Sequence, residues 1–501
     1  MRTSTPALAD RQEAHFLASL RAQAPAPERH ALWLGLVAVA FTAVQLALVV
    51  PGLGLGWDET VYVSQSGPDA TRAFFSAPRA RGISYLVTPV TAVTSSVTAV
   101  RIYLALLAGG ALFLALWVWR ALLPAPVLAL AGGLFASLWI TLFYGPQIMP
   151  NLWVAFAALA TVGCFLRAVE AEPGRDPRAL LGLGLGIACV ALFRPGDAAW
   201  LGLPLVLAAL AVPGWRRPLP LAVLGSGAVL GAAQWLVEAH VSYGGVLTRL
   251  DRAGEIQGGL GWNLAVDDQV RALAGRSLCR PCDIGWEHPV TALWFLLLPL
   301  PLIAGLAVAV RLRLLAPVLL ATLTGLSVAV PYLFLIDYAA PRFLLPAYAL
   351  LALPVALCLV RLCTGPSRWR PLLAGLVVAG LLGHVAVQYG VLRGSVDRSG
   401  RAAREIADVA AELGRLGVRP PCVISGHDAV RVAYQAGCAS RQLAGHDGSI
   451  TPAGLRAAAD RQAVAVLVAG DRRPPSVART WTEHPLPDRP VSRNYRAYVA
   501  P

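Results

Sequence analysis

Residues 121–166, a run of 46, contain no aspartate, glutamate, lysine, arginine or histidine. As one helix this run would be about 69 Å long, more than twice the hydrocarbon thickness of a bilayer. It must therefore double back, and Gly145, Pro146 and Pro150 supply helix-breaking residues for the turn. An uncharged hairpin of this length has no place in water. The composition agrees: 56% of the chain is hydrophobic, only 14% is charged, and the mean hydropathy is +0.61. A soluble domain has about 25% charged residues. The fold class read from this pattern is an α-helical polytopic membrane protein.

The remaining apolar segments follow the same logic. Residues 31–56 carry no acidic or basic side chain and read as a first span, retained because 51–54 gives no good signal-cleavage site. Further spans are expected over 100–122, two within 121–166, then 179–193, 198–212, 219–237, 290–310, 314–336, 343–360 and 372–392. Eleven spans result. The 42 basic residues are all arginine, and arginines mark every turn on one side of this layout. By the positive-inside rule that side is cytoplasmic. Residues 1–30, with Arg2, Arg11, Arg21 and Arg29, form an inner tail, and 31–392 the transmembrane domain. Residues 51–98 and 238–288 form long outer loops, and 83–97 reads as a helix lying in the interface.

After residue 392 the chain becomes polar. Cys422–Ser425 and 463–469 have the pattern of buried strands, and 401–416, 428–434 and 452–460 that of helices. This alternation predicts a small α/β domain over 393–501, extracytoplasmic by parity. The net charge of +14 does not point to nucleic acid, because no basic run with interleaved aromatics occurs. Scattered arginines fit anchoring at the membrane and contact with anionic lipid.

Pumps and transporters bury ionisable groups in mid-span. Here His384 is the main such group, and a lone histidine is usually structural. Reactive side chains gather instead near the outer ends of spans: Asp58, Glu59, Tyr62, Arg79, Arg81, Tyr144, Gln147, Asn151, Arg194, Asp197 and Arg342. Asp58 and Glu59 follow the first span directly. They either mark its water boundary or form the centre of a site on the outer face.

Three features carry a resemblance: the acidic pair after the first span, Arg81-Gly82 before an interfacial helix, and Arg342-Phe-Leu-Leu-Pro-Ala-Tyr348 before a late span. In these the chain resembles the GT-C membrane glycosyltransferases. The branch it looks most like is that of protein O-mannosyltransferases and aminoarabinose transferases. The resemblance implies transfer of a sugar from a polyprenyl-phosphate donor to a protein, lipid or cell-wall glycan acceptor. It gives Asp58 the role of base, with Glu59 supporting it, binding acceptor or holding a divalent metal ion. Arg79, Arg81 and Arg342 become ligands of the donor phosphate, since guanidinium pairs bidentately with phosphate. Tyr62, Tyr144, Gln147, Asn151, Arg194 and Asp197 would line the substrate cavity.

The chain also departs from that pattern. Related enzymes often carry His-Pro-Pro-Leu-Tyr-Tyr after the Arg-Gly, where this chain has Ile83-Ser84-Tyr85-Leu86, and no Asp-x-Asp occurs in the first loop. The alternatives are a transporter or flippase of a lipid-linked glycan, and a polymerase or ligase of surface polysaccharide. The first should bury charge along a path. The second would centre on a large late loop.

Cys279-Arg-Pro-Cys282 admits a redox motif, half a zinc site or a local disulfide, and with no second such motif a loop staple is expected. Cys422 and Cys438 could form a second disulfide in an oxidising compartment. The topology is directly testable. A cysteine replacing Gly448 should react with a membrane-impermeant thiol reagent in intact cells, whereas protection would put the domain inside.

Overall fold

The computed structural model describes residues 27–67, 71–170, 172, 176–259, 261–488 and 494–501. Most of the expected inner tail (1–26), Asp69 of the first outer loop and Arg175 of an inner loop lie outside the described residues.

The chain is a multi-pass membrane protein with a small sheet domain at its C-terminal end. Among the described residues, eight helices are long and apolar enough to cross a membrane, and three shorter apolar ones accompany them. Each apolar segment of the sequence holds one of these helices. In order, α1 (Pro27–Val44) ends in a π-turn and leads to α2 (Trp57–Val63) and α3 (Gly82–Thr91) of the first loop. Then come α4 (Val97–Val118), α5 (Ala125–Ser137), α6 (Trp139–Tyr144), α7 (Asn151–Glu170), α8 (Pro177–Phe193), α9 (Pro195–Ala211) and α10 (Pro218–Tyr243). The second long loop carries α11 (Val246–Ile256) and α12 (Val266–Ala272). The bundle closes with α13 (Leu293–Leu297), α14 (Pro299–Arg311), α15 (Leu315–Phe334), α16 (Leu345–Thr364) and α17 (Arg370–Arg415).

Two details differ from the sequence reading. The expected interfacial helix stops at Thr91 rather than 97. The uncharged hairpin breaks once more than expected, at Leu138, whose extended backbone separates α5 from α6. That break frees the Trp139 N–H, which donates to Gln388 Oε1 of α17 at 2.9 Å. In lipid every freed backbone group needs such a partner, which explains a fully buried glutamine on an otherwise apolar helix.

Helices pack through small residues. A methyl at Gly227 or Gly231 of α10 would collide with the α8 backbone at Gly184 and Ala188, 2.7 and 2.2 Å away. These glycines, four apart, let the two helices approach backbone to backbone. Large apolar side chains such as Leu230, Leu300 and Ile303 point outward, as a lipid-facing surface requires.

α17 runs for 46 residues without interruption, past the boundary expected after residue 392. Its last turns pack on the terminal sheet, whose strands are β1 (Cys422–Gly426), β2 (Ala439–Ser440), β3 (Ala463–Val468), β4 (Thr482–Pro485) and β5 (Arg496–Val499). The order is β2-β1-β3-β5-β4, with β1 parallel to β2 and β3, and β5 antiparallel to β3 and β4. α17 and α18 (Ala429–Ala436) cover one face through Val409, Leu413 and Val432, and α19 (Pro452–Ala459) covers the other through Leu455. The domain rests on the first loop, where Thr71 Oγ1 donates to the Cys438 carbonyl at 2.6 Å. Both expected cysteine pairs, Cys279–Cys282 and Cys422–Cys438, are disulfides.

The most buried ion pair among the described residues joins Glu59 to Arg101, 2% and 1% exposed. Arg101 donates to both carboxylate oxygens and to the carbonyls of Gly54 and Pro146, each at 2.8 Å. Glu59 also accepts from Gly56 N at 3.0 Å and Ile148 N at 2.8 Å. Removing one partner of such a pair strands the other as a bare buried charge, at about 3–5 kcal/mol. Arg101→Met should therefore lower the melting temperature in detergent more than the double change Glu59→Gln with Arg101→Met. Equal melting of the two variants would remove this pair from the stability of the fold.

Candidate functional site

α2 begins at the water end of the first helix. Successive residues on a helix point about 100° apart, and residues four apart share a face. Asp58 and Tyr62 accordingly face one cavity of about 190 Å³, while Glu59 turns inward to Arg101. The structure does not bring Glu59 to the cavity. Both its oxygens are taken by arginine and backbone donors, so it is not available to bind acceptor or a metal. Among the described residues no cluster of three His, Cys, Asp or Glu side chains could hold a metal ion. Asp58 is the one carboxylate on the cavity wall among the described residues, so the donor set does not fit a divalent ion.

Arginines from distant parts of the chain converge on Asp58. Arg79 Nη2 donates to Oδ1 at 2.7 Å, and Arg342 Nη2 to Oδ2 at 3.1 Å. Burial pushes the Asp58 carboxyl upward, but Arg79 and Arg342, with Arg194 further off, outweigh it and hold the group below the usual carboxylate range. Arg342 is anchored by donation to the Ser277 carbonyl at 2.7 Å. Arg194 also lines the cavity, bound to Asp197 at 3.0 Å and to the Tyr332 hydroxyl at 2.7 Å. The Arg194 and Arg342 guanidiniums both lie over the Phe343 ring, 4.8 and 5.1 Å from its centre. Asn151, at the start of α7, lines the cavity too and is 1% exposed. Neither its amide oxygen nor its amide nitrogen has a partner among the described residues. An unpaired buried amide costs about 1–3 kcal/mol, a cost a bound ligand would remove.

The other expected residues lie near the site but not on its wall. Tyr144 supports Arg342 through its hydroxyl at 3.4 Å, and Asp197 stands behind Arg194. Gln147 is buried in the turn that Glu59 and Arg101 hold. Arg81 points away, to Glu238 at 2.6 Å, with its guanidinium over Phe75.

Sequence reasoning missed two groups of residues. Arg280 lines the cavity from inside the Cys279–Cys282 loop, which is pinned to the Arg342 segment by paired hydrogen bonds between Cys279 and Ala339 at 2.8 and 3.2 Å. The cysteine spacing flagged the loop but not the arginine it carries. Arg249 is fully buried between Trp235 and Tyr243, and donates to the carbonyls of Ala77 at 3.1 Å and Arg79 at 3.0 Å. It fixes the loop that presents Arg79. Its only signal in the sequence was a charge within the second outer loop.

The fold is shared with solved structures at low sequence identity. Among solved structures the chain is similar to ArnT from Cupriavidus metallidurans bound to undecaprenyl phosphate, with a TM-score of 0.65 at 13% identity, covering 94% of this chain and 98% of that one. It is also similar to the apo oligosaccharyltransferase of Archaeoglobus fulgidus, with a TM-score of 0.51 at 12% identity, covering 87% of this chain and 69% of that one. No family model and no curated protein matches the sequence.

Hydrogen bonds to charged groups contribute about 1.5–3 kcal/mol each, so Arg249→Met should speed amide exchange across residues 75–81 by roughly tenfold or more. Exchange confined to its present rate there would show that Arg249 does not hold the Arg79 loop.

Proposed function

We propose that this chain transfers a sugar from a polyprenyl phosphate to an acceptor at the outer membrane face, with Asp58 as general base. The observation that carries the reading is the Asp58 carboxylate gripped by Arg79 and Arg342 on a cavity wall. Two guanidiniums converging on one carboxylate form an anion site, and a phosphate oxygen suits the same donors. The fold supports the reading, because a similar structure, ArnT, is a complex with undecaprenyl phosphate. The likeness to solved structures concerns the fold, whereas the catalytic roles rest on this chain's own residues.

In this scheme donor phosphate and Asp58 compete for Arg79 and Arg342. When the phosphate takes those N–H groups, Asp58 loses the partners that hold its proton affinity down. It then accepts the proton of the acceptor hydroxyl. The acceptor oxygen bonds to the anomeric carbon as the bond from that carbon to the phosphate oxygen breaks. The electron pair stays on the polyprenyl phosphate, whose growing charge the two arginines stabilise. Arg81, Glu59 and Tyr144 act through the residues they support. The disulfides agree with an oxidising outer compartment for the second loop and the C-terminal domain.

Asp58→Asn preserves shape and removes the base. General-base catalysis contributes about 10²–10⁴-fold, so transfer from a polyprenyl-phosphate sugar should fall by at least the lower figure while donor binding persists. Arg342→Ala should weaken binding of polyprenyl phosphate itself. Near-normal transfer by Asp58→Asn would reduce Asp58 to a boundary charge.

A further inference from the structure

One arginine on the cavity wall stands apart from the others. Arg79, Arg342 and Arg194 each hold a carboxylate, and their side chains are 12, 10 and 19% exposed. Arg280 lines the same cavity but is exposed, which places it at the mouth, and it has no carboxylate partner among the described residues. Its Nη1 donates to the Ile256 carbonyl at 2.9 Å, and its guanidinium lies over the Tyr338 ring, 4.8 Å from the centre. A guanidinium carries five N–H donors, so most of its hydrogen-bonding capacity is still open. A donor phosphate reaching Arg79 or Arg342 must displace Asp58. At Arg280 it breaks no ion pair.

The loop that carries Arg280 is pinned at both ends. Cys279 pairs with Ala339 through two backbone hydrogen bonds at 2.8 and 3.2 Å, and the Cys282 carbonyl accepts from Arg271 Nη1 at 2.6 Å. The Cys279–Cys282 disulfide closes the loop between these points. A bridge across so few residues removes less chain entropy than a long one, so its effect is on local shape more than on global stability. The same segment reaches Arg342, whose Nη1 donates to the Ser277 carbonyl at 2.7 Å. The exposed guanidinium and the buried one are thereby held in one frame.

We propose that Arg280 captures the donor phosphate at the cavity mouth before that phosphate displaces Asp58 from Arg79 and Arg342, and that the Cys279–Cys282 disulfide positions Arg280 for this step. The inference rests on the transferase reading above and adds to it the way the donor enters. A charge at the mouth acts mainly on the rate of association, and its pull weakens as salt rises.

The test uses the purified full-length chain with bare polyprenyl phosphate as the probe, and measures association and dissociation rates at low and high salt. Arg280→Gln should slow association by about tenfold and flatten its salt dependence, the loss expected when a charged hydrogen-bonding partner is removed. Arg280→Lys, which keeps the charge, should recover part of the rate. In transfer assays Arg280→Gln should raise KM by a larger factor than it lowers kcat. Replacing Cys279 and Cys282 together by serine should slow association as well. The same replacement should add little in the Arg280→Gln background, because the bridge acts through that side chain. Association with phosphatidylglycerol is the control. Unchanged association in Arg280→Gln, no recovery in Arg280→Lys, a kcat loss as large as the KM rise, or fully additive losses with the serine pair would overturn the inference. So would an equal dependence of phosphatidylglycerol on Arg280, which would make it a general lipid anchor. Failure of wild type to bind bare polyprenyl phosphate would overturn the transferase reading instead.

Discussion

The buried pair of Glu59 and Arg101 organises everything above it. Three separate segments meet there: the stretch from Gly54 through Gly56 into α2, the foot of α4, and the turn at Pro146 and Ile148. Two charges removed from water are costly unless good geometry and further hydrogen bonds compensate, and of this pair's side-chain polar atoms only Arg101 Nε lacks a partner among the described residues. Here both Glu59 oxygens each accept twice, from Arg101 and from a backbone N–H. The arrangement converts a costly pair into a fixed point. Asp58, one residue earlier, inherits its height and direction from it.

A second fixed point serves the opposite wall. Glu238 receives both Arg81 and Arg249, and Arg249 in turn holds the backbone of the Arg79 loop. Arg79 and Arg342 thus approach Asp58 from rigid supports, one from the first loop and one from a segment pinned to a disulfide loop. Preorganised charge of this kind acts without rearrangement when a new anion arrives. The arginines that touch nothing but structure position those that face the cavity.

Much of this was legible in the sequence. Apolar runs marked each membrane helix, and the polar tail implied a β1–β3 core with its covering helices. Asp58, Arg79, Asn151, Arg194 and Arg342 all stand out by their place beside span ends, and all line one cavity. What hydropathy cannot reveal is direction. Asp58 and Glu59 are neighbours in sequence and differ by about 100° around a helix, which separates a cavity residue from a structural one. Arg81 and Arg79 are equally alike on paper, yet a glutamate 157 residues beyond Arg81 draws it away. The break at Leu138 leaves no local mark because its compensating partner, Gln388, lies on another helix.

The uninterrupted helix α17 makes the terminal domain a rigid extension of the membrane bundle rather than a tethered appendage. Its upper part is clasped against the end of the first helix, where Gly54 N donates to Ser399 Oγ at 3.2 Å. A helix transmits rotation as faithfully as it transmits length. One residue added within it would swing the sheet through about 100° and raise it by about 1.5 Å. The domain would then leave its seat on the Thr71 loop. The number of residues between membrane and sheet is therefore under geometric constraint, as the phase of a screw thread is, even where no side chain along the way touches anything of consequence.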